Sequence, residues 1–190
     1  MAKTVAPRGF ARERVLEAAL ELFTEYGVNG TSLQMIADRL GVNKSAVYYQ
    51  FHTKDEIVLA IFGPVFEDID RVVRIADALS SSGAKREAAF SGTVELAVRH
   101  RRVAFLYFDA AVEGPIRSRQ EYSTTYDNLV ALLRGEDSSA ANRVAVSFLL
   151  CGIFGTASDP EVGDVPDGEL HNVTMNCGRR LLTAPTKALK

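Results

Sequence analysis

A chain of 190 residues, 47% of them hydrophobic, has enough apolar material for one large core or two small ones, which excludes the composition of a disordered chain. Its longest apolar run, 144–155, falls short of the ~20 residues a bilayer needs, and the opening MAKTVAPRGFARER lacks the apolar core of an export signal. A formal charge of −2 excludes strong indiscriminate attraction to nucleic acid.

These features predict a cytoplasmic protein, with Cys151 and Cys177 as reduced thiols packed in apolar helices. The charge is unevenly placed. Residues 1–14 hold Lys3, Arg8, Arg12 and Arg14 against Glu13 alone, whereas residues 1–56 carry seven basic and seven acidic side chains. Glu13, Glu17, Glu21 and Glu25 form one stripe, expected to face solvent.

In chain order, 12–26 reads as a first helix with Val15, Ala19, Leu22, Phe23 and Tyr26 on one face. Two short helices follow, separately capped and joined by a glycine. Thr31 and Gln34 form a capping box for the first, whose Leu33, Ile36, Ala37 and Leu40 make an apolar face, and Gly41 ends it. Asn43 is an N-cap for the second, 44–50, whose Val47 and Phe51 can turn inward against Ala37 and Leu40. Lys44, Ser45, Tyr48 and Tyr49 are left outward. Thr53 and Glu56 make a second capping box, so the middle helix is limited to about two turns. A short, exposed helix of this kind fits a DNA major groove; the plainer alternative is a helical hairpin with a solvated second member.

A connecting helix opens over 54–62, and Gly63-Pro64 is expected to kink or break it before 64–79 continues with Val65, Ile69, Val72, Val73 and Ala76 apolar. Residues 80–83 read as a linker. Three helices follow at 84–101, 102–112 and 115–133, the last opened by Pro115 in its first turn. Segment 137–156 is apolar nearly all round and expected to be buried, 159–166 is an acidic loop, and 167–182 is a final helix with Leu170, Val173, Cys177 and Leu181 on one stripe. The chain is all-α, with nine or ten helices. Periodicity alone leaves 144–154 as either a central core helix or half of a seam between two copies.

The middle helices are rich in aromatics: Phe62, Phe66, Phe90, Phe105, Tyr107, Phe108, Tyr122, Tyr126, Phe148 and Phe154. Such residues can line an apolar ligand cavity with Glu113, Arg117 or Gln120 orienting a ligand, although aromatics at helical spacing are more often ordinary core. The basic run Arg99-His100-Arg101-Arg102 reads as a solvated helix junction, with a ligand's acidic tail or a hinge as the other possibilities. Nothing points to catalysis or to a metal: there is no nucleophile elbow or phosphate loop, and His52, His100 and His171 are far apart in sequence. A thiol-based redox sensor through Cys151 or Cys177 is an alternative, with Arg179 and Arg180 near the second thiol. A helical enzyme or binding protein with a central pocket is another.

The stretch 12–61 resembles the TetR family of bacterial transcriptional regulators. The resemblance is carried by a first helix ending in Tyr26-Gly27, by Thr31, Ile36-Ala37 and Gly41-Val42, and by Tyr48-Tyr49-Gln50-Phe51-His52-Thr53-Lys54-Asp55-Glu56-Ile57. The family usually has histidine where Gln50 stands and leucine where Ile57 stands. Beyond 61 no motif is matched.

The resemblance implies a three-helix DNA-binding head at 1–56 with a disordered start at 1–10, a helical ligand-binding and dimerisation bundle at 57–184, and a tail at 185–190. It assigns Lys44, Ser45 and Tyr48 to base edges or the groove and Thr31, Ser32, Tyr49, His52 and Lys54 to phosphate, with Gln34 and Asn43 in the same DNA-binding set. It also favours the seam for the last two long helices, built from Val144, Phe148, Cys151, Leu170, Val173, Cys177 and Leu181. A twofold dimer would read a near-palindromic double-stranded operator, its affinity falling with salt. A repressor is implied, released when a small, largely apolar effector binds among Phe66, Phe90, Phe105, Phe108, Glu113, Arg117, Tyr122, Tyr126 and Phe148. The helix from Lys54 would carry the shift, with Gly63-Pro64 as its hinge. No cofactor is implied.

Overall fold

The computed structural model describes the backbone of residues 8–183 and the side chains of 11–182. The first seven residues of the expected disordered start, Lys3 among them, and the tail 185–190 lie outside the described residues. Within them every regular element is helical and no strand occurs: α1 (Arg8–Gly30), α2 (Leu33–Leu40), α3 (Lys44–Gln50), α4 (Lys54–Asp77), α5 (Ser82–Arg99), α6 (Arg101–Ala104), α7 (Ala110–Ser118), α8 (Gln120–Arg134), α9 (Ala140–Ser158) and α10 (Asp167–Thr183). Short 3₁₀ turns at Phe105–Phe108 and Pro160–Val162 complete the chain.

Two compact units result. The first is the chain through Pro64 together with Phe108–Ser118; the second is Val65–Tyr107 and the chain from Arg119 onward. The first unit, the head, therefore includes α7, which is distant in sequence.

In the head, α1 buries Val15, Ala18, Ala19, Leu22 and Phe23. Regular winding stops at Gly27 (φ 70°, ψ 167°), a conformation that favours glycine, and one further turn reaches Gly30. Tyr26, expected on the apolar face, is exposed, because the helix departs from its winding at the next residue. The expected Thr31–Gln34 capping box does not form. Ser32 is the N-cap, its hydroxyl accepting from the Met35 amide at 3.2 Å, while Thr31 is buried with its hydroxyl donating to the Gly27 carbonyl, and Gln34 bonds Asp38. Gly41 ends α2 in the left-handed region (φ 65°), where its amide and that of Val42 reach the Asp38 and Ala37 carbonyls. The second capping box does form: the Thr53 hydroxyl accepts from the Glu56 amide at 3.1 Å, and the Glu56 carboxylate accepts from the His52 amide at 2.8 Å.

Helix α4 contains Pro64 without the expected break. Proline removes one ladder hydrogen bond, but buried Val58, Phe62, Phe66, Ile69, Val73 and Ala76 keep one apolar stripe in phase through it. The expected helix 102–112 is instead divided among α6, the 3₁₀ turn and α7. Asp109 starts α7, its carboxylate accepting from the Ala111 amide at 2.9 Å, and so Pro115 lies inside α7 rather than opening α8.

The second unit, the bundle, buries Phe90, Val94, Leu106, Leu129, Leu133, Val146, Leu149, Leu150 and Ile153. Arg86 donates to the Leu133 carbonyl at 2.8 Å and to the Asn142 side chain at 3.1 Å. Buried Asn142 donates in turn to the Arg134 and Asp137 carbonyls, so side chains take up the last two carbonyls of α8. Gly178 lets α10 lie directly on Phe90: an added Cβ would stand 2.5 Å from the ring. Gly178→Ala is expected to destabilise the bundle by about 1–3 kcal/mol through overpacking. A urea titration should show a lower midpoint at unchanged slope; an unshifted midpoint would contradict this close approach.

Helix α9 is long and apolar enough by length and composition to cross a membrane, but one of its sides packs in the bundle through Val146, Leu149, Leu150 and Ile153. It is not buried all round as expected. Val144, Phe148 and Cys151 are exposed, as are Val173 and Cys177 on α10, so neither cysteine is a packing residue within one chain.

Candidate nucleic-acid interface

Helix α3 is fixed from behind. Val47 and Phe51 are fully buried with Ile36 and Ala37, and the Phe51 amide closes the helix on the Val47 carbonyl. One side being anchored, the opposite side must face solvent: Lys44 and Ser45 are exposed, and Tyr48 and Tyr49 are 52% and 72% exposed. Asn43 sits at the N-cap, although its side chain makes no capping bond. Tyr48 meets the His52 ring edge-on at 4.8 Å. Tyrosines usually bury much of their rings in a fold, and here two stand exposed beside a lysine and a serine on a short helix of a size that fits a major groove.

Four cations and carboxylates set this geometry. Arg12 donates to the Gln50 carbonyl at 3.1 Å and lies 4.0 Å over the Phe51 ring, placing positive charge at the C-terminal end of α3. Arg39 on α2 pairs with Glu21 and Glu25 of α1 at 2.9 Å each, and these hydrogen bonds, Glu25 first, raise its guanidinium above the ordinary value. Half of the acidic stripe is therefore bound to α2 rather than simply solvated.

Lys54 donates to the carbonyls of Val28 (2.7 Å) and Asn29 (3.3 Å), and Asp109 accepts from the Val28 amide at 3.0 Å. Of the residues expected at DNA, Ser32, Gln34, Asn43, Lys44, Ser45, Tyr48, Tyr49 and His52 are exposed. Thr31 and Lys54 are turned into the head, where carbonyls hold them. Arg12, Arg39 and Asp109 were missed by sequence reasoning; Arg12 and Arg39 had a signal in their charge opposite the C-terminal end of α3 and the glutamate stripe.

The expected ligand residues divide between the units. Phe108, Glu113 and Arg117 belong to the head, Glu113 and Arg117 pairing with each other at 2.8 Å on α7. Phe90 is core beneath Gly178, and Phe148 is 68% exposed. In the bundle, Phe66 stacks on Tyr122 at 4.2 Å, Tyr107 shares a 3.0 Å hydrogen bond with Tyr126, and Tyr107 stacks on Phe154 at 4.6 Å. Burial and then the Tyr126 bond push the Tyr107 hydroxyl well above the ordinary phenol range.

Three members of the basic run, Arg99, His100 and Arg101, are engaged by partners within the protein. His100 and Arg99 meet Asp68 at 2.9 and 3.3 Å, and the His100 bond, with help from Arg71 and Arg99, holds that carboxyl below its ordinary range. Arg101 clamps the Val162, Gly163 and Val165 carbonyls and Asp167.

On the outer face of α9 and α10 lies a groove of about 470 Å³, lined by Phe148, Gly152, Thr156, Val173, Cys177 and Leu181 among others. Val144 beside it is 67% exposed. Leu170, expected in the same seam, is buried in its own bundle instead.

Residues 15–61 match the family model described as bacterial regulatory proteins, tetR family. The HTH-type transcriptional regulator SrpR of Pseudomonas putida is 41% identical over 59 residues; that stretch is 31% of this chain and 28% of SrpR. Among solved structures, SCO3833 of Streptomyces coelicolor A3, a TetR-family member, superposes with a TM-score of 0.69 at 16% identity, covering 96% of this chain and 92% of that one. The ketosteroid transcriptional regulator KstR2 of Mycobacterium tuberculosis gives 0.66 at 19% identity, covering 95% and 96%. At these identities the likeness is one of fold, and it extends through the bundle, where no sequence motif was matched.

Proposed function

We propose that the chain, whose residues 15–61 match the TetR family of bacterial regulatory proteins, is a cytoplasmic homodimer that binds a near-palindromic operator and is released by a small, largely apolar effector. It is a DNA-binding regulator and not an enzyme, as its relatives are. The observation that carries the reading is the outward face of α3, where Lys44, Ser45, Tyr48 and Tyr49 are presented by a helix whose other side is fully buried. Domains at 1–56 and 57–184 remain our division of labour, with reading in the first and dimerisation and effector binding in the second.

Several features support the finer parts. The apolar outer face of α9 and α10, Phe148 and Val173 included, is what a pair of copies would cover, and pairing would also shield Cys151 and Cys177, which leaves the redox alternative without a supporting observation. For the effector, the Phe66–Tyr122 pair and the contacts of Tyr107 with Tyr126 and Phe154 offer apolar rings with hydroxyls to orient a ligand. Because α4 runs unbroken through Pro64, we assign the shift to movement of α4 as a whole rather than to a bend at Gly63-Pro64.

The test is a mobility-shift titration, at fixed salt, with DNA from immediately upstream of the protein's own coding region. Tyr48→Ala is expected to weaken binding about ten- to a hundredfold, consistent with about 1–3 kcal/mol for a groove contact, while circular dichroism and dimer mass stay unchanged. Equal binding by the variant would remove α3 as the reader.

A further inference from the structure

We infer that Asp109 is a positioning residue for the DNA-reading head and a point at which the bundle's state enters it. The origin of this role is Gly27. Its backbone turns the Val28 amide out of the regular winding of α1, and Val28 itself is buried, so that amide needs a partner inside the protein. The partner is the Asp109 carboxylate, 81 residues farther along, at 3.0 Å. Its other oxygen accepts from the Ala111 amide at 2.9 Å and so caps α7. One carboxylate closes the end of one helix and the start of another.

The turn it grips leads into the N-cap of α2. Thr31 holds the Gly27 carbonyl and Lys54 holds those of Val28 and Asn29, while Asp109 holds the Val28 amide. Two residues before Asp109 stands Tyr107, which belongs to the bundle, bonded to Tyr126 and stacked on Phe154. The chain passes from one compact unit to the other between Tyr107 and Phe108. A rearrangement of these aromatic contacts that moves Tyr107 therefore acts on Asp109 across a single intervening residue. This route is separate from α4.

The consequence for DNA rests on the proposed function, but the coupling can be measured without DNA or effector. Asp109→Ser keeps a short oxygen able to cap α7 and removes the second, longer reach to Val28. Hydrogen exchange of the full-length protein is expected to show the Val28 amide at least about tenfold faster in this variant, with α7 amides unchanged. Tyr126→Phe, which removes the hydroxyl partner of Tyr107, is expected to speed Val28 exchange in the wild-type background and to add nothing in the Asp109→Ser background. Unchanged protection of Val28 in Asp109→Ser, no effect of Tyr126→Phe, or an undiminished effect in the double variant would each overturn the inference. A DNA titration of the same proteins separates the two readings. Weaker binding by Asp109→Ser supports the positioning role, and equal binding overturns it. Wild-type protein that shifts no fragment overturns the DNA-binding reading, leaving the exchange data to decide the latch.

Discussion

Phe148→Arg is expected to make the protein monomeric and to weaken operator binding at least about a hundredfold. Phe148 is 68% exposed on α9 and lines the groove with Val173, Cys177 and Leu181. Burying one phenylalanine is worth about 1.5–3 kcal/mol, and a twofold seam counts it twice. Arginine would add a charge from each copy to the proposed seam, on a face that already holds Arg180, and an unpaired or like-paired charge there is strongly unfavourable. DNA binding should fail with the dimer, because a head without net positive charge has little long-range attraction to offer and depends on a second head bound to the same duplex. Light scattering gives the mass, and a titration at fixed salt gives the affinity. A variant that keeps the dimer mass would move the seam away from this face.

The head was largely legible in the sequence because its signals are local. Asn43, Phe51 and the Thr53–Glu56 box bound α3 at the residues where it is found, and Gly41 ends α2 by a left-handed turn that needs no distant partner. The cap of α2 was misplaced by one residue for a physical reason. Two hydroxyls, Thr31 and Ser32, compete for it, and the outcome is decided by the break at Gly27, which brings the Gly27 carbonyl to Thr31 and leaves Ser32 at the helix end. Lys54 shows the limit of inference from charge: a lysine beside the reading helix fits a phosphate equally well, but two carbonyls of the preceding turn take its ammonium group.

Farther along, the sequence signals were ambiguous in kind. Pro115 has the residue type of a helix start, yet Asp109 caps first, and once α7 is nucleated there the proline is carried inside it. An aromatic stripe cannot reveal whether a ring meets a ligand, a glycine or solvent, and this is why Phe90 proved to be core beneath Gly178 while Phe108 and Phe148 are exposed. The same holds for α9: its all-round apolarity has two causes, one side packing in the bundle and the other lying open, and composition does not separate them. Asp109 was invisible for the simplest reason, its partner being 81 residues away.

Phe51→Ala tests whether the head stands on its own core, and it should produce the largest loss of stability. Phe51 is fully buried, ends α3, and carries the Arg12 guanidinium on its ring, so truncation removes packing and one seat of Arg12 together. Large-to-small substitutions of this kind cost about 3–5 kcal/mol, a large fraction of what a domain of ordinary stability possesses. Because the head and bundle are separate compact units with their own buried residues, the loss is expected to be local. Hydrogen exchange should accelerate through α1–α3 while α5 and α9 stay protected, and DNA binding should disappear at temperatures where the dimer persists. Tyr48→Ala provides the contrast, since it is expected to weaken binding with the exchange pattern intact. Phe51→Leu, which restores most of the buried volume, should recover a good part of both stability and binding. If Phe51→Ala instead loosened the bundle and the head to the same extent, the two units would be folding as one, and a head able to change its DNA-binding state on its own would have no physical basis.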